Sequence, residues 1–191
     1  MSQAEVILDF WFGHPQQPDY GKPKSFWFNP QAEFDQELKH RFLKDYQQGA
    51  TGYLNNWLNL PKTCIALILL LDQFPRNMFR GTPQAFATDT QALSAAKHAV
   101  AQGYDHEFLP TQRWFIYLPF EHSENLTDQQ QCVKLFQQLS HDPDSASPIE
   151  YAWRHLEVIE RFGRFPHRNS ILGRVSTPEE EKFLQQPGSR F

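Results

Sequence analysis

Arginine, rather than lysine, is concentrated around two related stretches, Phe74-Pro75-Arg76-Asn77 and Phe165-Pro166-His167-Arg168-Asn169. Six of the ten arginines lie in or next to them: Arg76, Arg80, Arg161, Arg164, Arg168 and Arg174. From Arg161 to Arg174 there is neither an acidic residue nor a lysine. A planar guanidinium grips a carboxylate or phosphate through two parallel hydrogen bonds and stacks on rings such as Phe74 and Phe165; an ammonium is only a point charge. Asn77 and Asn169 add neutral donors. The pattern points to an anion site drawn from Arg76, Asn77, Arg80, Arg164, His167, Arg168, Asn169 and Arg174.

A second constellation, Glu121-His122-Ser123-Glu124, puts two carboxylates beside an imidazole. A carboxylate sets the tautomer of a neighbouring histidine and raises its pKa, so Glu121, His122 and Glu124 are candidate acid–base groups. Both constellations also have a structural use. Each arginine motif ends an apolar helical run, where four backbone carbonyls lack partners and Arg or Asn side chains can cap them. Asp72, Glu157 and Glu160 can neutralise the arginines, and the Glu121–Glu124 segment can cap the next helix or pair with them.

Metal and cofactor signatures are missing. Glu37-x-x-His40 occurs once, whereas a di-iron bundle needs two such pairs and two further glutamates. There is no His-Glu-x-x-His, Gly-x-Ser-x-Gly or Walker A sequence, and Cys64 and Cys132 form no Cys-x-x-Cys pair. No metal and no cofactor are expected.

Helices must position these residues, because helix signals recur along the chain while period-two strands do not. Capping boxes open at Ser2-x-x-Glu5 and Thr127-x-x-Gln130, and Thr177-Pro178-Glu179-Glu180 opens a last helix. Asn29-Pro30 starts a helix ended by Gly49, and Pro61 starts one whose Ile65–Leu71 run is apolar all round and therefore central. Thr88 or Asp89 caps an Ala-rich helix. Thr111 to Tyr117 forms a short helix stopped before Pro119. Ser147-Pro148-Ile149-Glu150 opens another, with Ile149, Ala152, Trp153, Leu156 and Ile159 facing the core. The expectation is an all-α fold of about eight helices in a hairpin stack or bundle, with two pseudo-repeated Phe-Pro-Arg-Asn loops brought together in space.

At 191 residues the chain fits a single domain over 1–191, and 17 phenylalanines make much of its core aromatic. A net charge of −4 argues against a surface that coats nucleic acid, and no apolar run approaches the ~20 residues that span a bilayer. Without a signal segment, the expected setting is soluble and cytoplasmic. The expected partner is a small anionic molecule or an acidic peptide end, with neither nucleic acid nor membrane.

Asp72-Gln73-Phe74-Pro75-Arg76-Asn77, Pro119-Phe120-Glu121-His122-Ser123-Glu124 and Arg161–Asn169 together resemble a largely bacterial family known as domain of unknown function 924. The resemblance runs from Trp11-Phe12-Gly13 through Trp27-Phe28, Arg80-Gly81 and Asp89 to Gly173-Arg174 and Thr177-Pro178-Glu179-Glu180, nearly the whole chain. It implies an all-α fold grouped with tetratricopeptide-like helical repeats, and supplies no activity, substrate or cofactor. Three functions stay open: binding of a small anion, a hydrolase or lyase using Glu121 or His122 with arginine stabilisation, and a structural interaction module.

Overall fold

The computed structural model describes residues 1–190 and contains eight α-helices and, among those residues, no strand. They are α1 (Gln3–Phe12), α2 (Ala32–Ala50), α3 (Pro61–Met78), α4 (Asp89–Ala101), α5 (Pro110–Glu121), α6 (Leu126–Gln137), α7 (Ala146–Phe162) and α8 (Pro178–Leu184), joined by loops and single 3₁₀ turns. The apolar run of α3 is buried on every side, and α1, α2, α4 and α5 pack around it. The stack continues from α5 onto α6 and α7. No helix among the described residues is long and apolar enough to cross a membrane.

Aromatic edges knit the centre. Trp11 meets Phe115 edge-to-face at 5.4 Å, and the 3₁₀ turn Ser25–Trp27 inserts Trp27 so that its indole N–H donates to the Trp11 carbonyl at 3.1 Å. The neighbouring Phe28 remains exposed at a pocket rim described below.

Several boundaries differ from the sequence reading, each for a local reason. Helix α2 starts after Gln31, whose side chain makes no capping bond, and passes through Gly49, which is buried where α2 crosses α3. A methyl group there would lie 3.4 Å from Leu67 and Leu71, an ordinary contact, so this position has room for alanine but not for a larger side chain. The Oδ1 of Asn125, not Thr127, caps α6, accepting from the N–H groups of Thr127 and Asp128. Helix α7 starts at Ala146 and turns Trp153 outward. That rotation carries His155 inward, opposite the buried Glu121.

The two prolines inside helices matter most for the site. Helix α5 runs through Pro119, carrying Glu121 to its last turn. The first arginine motif is not a loop: α3 continues through Pro75 to Met78. Proline at position 75 cannot donate to the carbonyl of Leu71. The hydroxyl of Thr88 replaces that missing donor at 2.6 Å. Thr88 precedes α4, so this single bond sets Asp89, the first residue of α4, beside the arginine that follows Pro75.

The α2–α3 crossing gives a first prediction. Gly49→Ala should be neutral or stabilising by up to about 1 kcal/mol, because the methyl fits and helix propensity improves. Gly49→Leu should cost about 1–3 kcal/mol by wedging the helices apart. Urea denaturation of both variants measures the contrast.

Candidate functional site

The C-terminal turns of α3 and α5, one flank of α7, the Ser25–Trp27 turn and the Pro166–Arg168 turn enclose a cavity of about 780 Å³. Glu121, His122, Arg76, Asn77, Arg80, His167 and Arg168 line it; Glu124, Arg164, Asn169 and Arg174 do not. A second cavity of about 700 Å³ beside α1 is lined by Glu5, Asp9 and Glu107 with Lys62 and no arginine, a poor electrostatic fit for an anion.

Behind the lining residues Gln73 and His122 of the larger cavity lies Asp72, whose side chain has no exposure. The Nδ1–H of His122 donates to its Oδ1 at 2.7 Å and Gln73 donates to its Oδ2 at 2.6 Å. Burial alone would raise this carboxyl, but the charges of His122 and Arg76 and these hydrogen bonds hold it well below the usual carboxylate range. Burial and the charge of Arg76 lower His122 against the pull of Asp72. The ring is therefore neutral near pH 7, with Nδ1 protonated toward Asp72 and Nε2 as the basic nitrogen.

The arginines divide into two kinds. Arg76 forks Asp89 at 2.7 and 3.0 Å, Arg80 engages both oxygens of Asp35, Arg164 forks Glu180 at 2.6 and 2.7 Å, and Arg174 forks Glu124 at 2.7 and 2.9 Å. Asn77 shares Asp35 with Arg80, and Asn169 shares Glu180 with Arg164. Arg168 differs. No carboxylate forks it: its bonds run through Nη1, to the His122 carbonyl at 3.0 Å and to Asp89 at 3.5 Å, while its Nε, like that of the forked Arg174, is buried with no partner. The rings of Phe86 and Phe165 have their centroids 4.9 and 4.5 Å from the guanidinium. Burial and then the charge of Arg76 bring Arg168 down to about 10, so it stays cationic at neutral pH.

Glu121 completes the set. Its residue is 4% exposed, its Oε1 lies 3.3 Å from Nδ1 of His155, and its Oε2 is buried without a partner. Burial, reinforced by the charge of Asp72, pushes its carboxyl up to about 8. A carboxylic acid that keeps its proton at neutral pH is a hydrogen-bond donor and a general acid. The Nδ1–H of His155 donates to the Tyr151 carbonyl at 2.8 Å, and burial keeps that ring neutral. His167 is brought down to about 4, by burial and then by Arg168.

The family model described as a bacterial protein of unknown function, DUF924, matches residues 7–188. The chain belongs to this family. It is also similar to the solved structure of a protein of unknown function from Agrobacterium tumefaciens, with 41% sequence identity, a TM-score of 0.84, and coverage of 95% of this chain and 96% of that one. No curated protein matches significantly.

In this DUF924 member, Glu124 accepts from the Phe165 backbone N–H and from Arg174, contacts that hold its carboxyl down despite burial. Glu157 and Glu160 are solvent-exposed, and the arginines take other partners: Asp35, which the sequence patterns do not single out, and Asp89 and Glu180, which they mark only at helix starts. Asp72 carries the one usable signal, a carboxylate at the end of an apolar helical run, where a buried charge must find counter-charges. Its link to His122, 50 positions away, has no sequence signature. Among the described residues no group of three or more His, Cys, Asp or Glu could hold a metal ion.

The state of Glu121 has a consequence for stability. Between the ordinary glutamate value of 4.5 and about 8 the folded chain keeps this proton while the unfolded chain releases it, so the residue destabilises the fold progressively as pH rises through that window. Glu121→Gln should therefore gain stability relative to wild type between pH ~5 and pH ~8. Urea denaturation at both values checks this; an equal difference at the two would show that Glu121 is ionised in the fold.

Proposed function

We propose that this pocket binds a small organic anion on Arg168. The observation that carries the reading is the buried, unpartnered Nε of Arg168 in a cavity wall where the other motif guanidiniums, Arg76 and Arg80, already fork carboxylates. An unspent donor on a buried cation is costly, and an anionic ligand offsets that cost. Of the wider arginine cluster, Arg76, Arg80, Arg164 and Arg174 serve as struts for the wall, Asn77 and Asn169 brace two of them, and Arg168 recognises the ligand. His167 adds a neutral ring beside the anion.

A second reading, acid–base catalysis on the bound anion, is favoured by His122, which is oriented by Asp72 and lines the same cavity as the protonated Glu121. Nε2 of His122 would accept a proton from an attacking water or substrate carbon, and the Glu121 carboxyl would give one to the departing atom. Arg168 would stabilise charge that develops between them. This makes a hydrolase or lyase the reaction class, with no metal step. Glu124 then acts at a distance, by holding the Phe165 backbone that positions Arg168.

Arg168→Lys should weaken binding of acetate or phosphate by about tenfold although charge is conserved, because a point charge cannot reproduce the in-plane fork. Arg80→Lys, altering a strut, should change that affinity little. Anion titrations followed by NMR make the comparison, and equal losses in both variants would contradict the assignment. His122→Asn should leave anion affinity near wild type while abolishing any hydrolysis seen against a panel of p-nitrophenyl esters and phosphates; unaltered turnover would remove the catalytic reading.

A further inference from the structure

The cavity is chemically graded along its length. On α5, Trp114, Leu118 and Glu121 recur at helical spacing and all line it. Helix α7 runs alongside in the same direction: the Trp114 indole N–H donates to Ser145 at 2.7 Å, and seven residues further on Glu121 faces His155. Over those seven residues, ~10 Å of helix rise, the wall passes from indole through aliphatic side chain to carboxylic acid. The apolar end is built densely. Trp27 stands against Trp114 with ring centroids 6.0 Å apart, Phe136 adds to the same lining, and Tyr151 lies on α7 between the two levels.

At the polar end, the fork left on Arg168 has a definite shape. With Nη1 engaged, the edge carrying Nε offers parallel in-plane donors, a match for the two oxygens and single charge of a carboxylate. A phosphate monoester brings more charge than this edge neutralises: the neighbouring Arg76 guanidinium is already closed by Asp89, and the Asp72 and Asp89 carboxylates around it repel added negative charge.

Building on the anion reading, we infer that the ligand is a monocarboxylic acid with an apolar tail, its carboxylate on Arg168 and its tail along α5 toward Trp27 and Trp114. Water held against indole and leucine surfaces is released when the tail enters, so binding energy grows with tail length. Acetate would occupy only the polar end.

Octanoate, acetate and octyl phosphate, titrated into the full chain by calorimetry and NMR, test this. Each buried methylene is worth about fourfold in affinity, so octanoate should bind at least about 100-fold more tightly than acetate and more tightly than octyl phosphate. Arg168→Ala should weaken octanoate and acetate alike. Phe28→Ser with Tyr151→Ser changes two lining residues that are 57% and 42% exposed and so tolerate substitution. That variant should lower octanoate affinity severalfold and leave acetate unchanged. Equal, Arg168-dependent affinities for acetate and octanoate would overturn the tail while sparing the anion reading. Tighter octyl phosphate would overturn the carboxylate assignment, octanoate binding indifferent to Arg168 would mark adsorption and overturn the inference, and failure of all three ligands to bind would overturn both readings.

Discussion

A carboxylate removed from water must find its counter-charge inside the protein, and Asp72 imposes that requirement at the end of the central helix. His122, Gln73 and Arg76 converge on it from α3 and from the residue that follows α5. Arg76 in turn carries Asp89, and Asp89 reaches Arg168 from the far end of the chain. One buried negative charge thus organises the two arginine motifs around a common point. Remove it, and His122 loses its orientation while Arg76 loses a counter-charge that offsets its own burial.

The same network explains why similar arginines do different work. A guanidinium whose fork is closed by a carboxylate contributes geometry and little affinity for a further anion; Arg80, Arg164 and Arg174 are of this kind. Arg168 has to share a carboxylate that Arg76 already holds, so its own fork stays open. Glu121 is complementary. It lies in the same cavity with no cation to ionise it, and so it presents a proton instead of a charge. In the proposed anion site, the flanking neutral donor and neutral imidazole would let a ligand bind without displacing an internal salt bridge.

Helix type and order were legible in the sequence because apolar spacing and capping residues act locally: the Ser2 and Thr177 boxes, Pro61 and the buried Ile65–Leu71 run all stand where their chemistry places them. The misreadings share one cause. Pro75 and Pro119 look like stops, yet tertiary structure supplies a substitute donor for the first and buries the turn around the second. Gly49 looks like a terminator and is a contact. At the proposed site, arginine enrichment pointed to both motifs but could not separate guanidiniums closed by carboxylates from Arg168, because that distinction lies in which carboxylates are near, including Asp35, Asp89 and Glu180 from other parts of the chain. The pairing of Asp72 with His122 and the turning of His155 toward Glu121 are likewise properties of packing.

The most direct measurement of the central claim is the ¹⁵N–¹H NMR signal of the arginine Nε–H groups during addition of acetate. The account predicts a saturable downfield shift of the Arg168 Nε–H as its open edge takes the carboxylate, with the Arg80 and Arg174 signals unmoved. An Arg168 signal that stays in place while protein and acetate reach millimolar concentrations, or one that moves no more than those of the paired arginines, would contradict it.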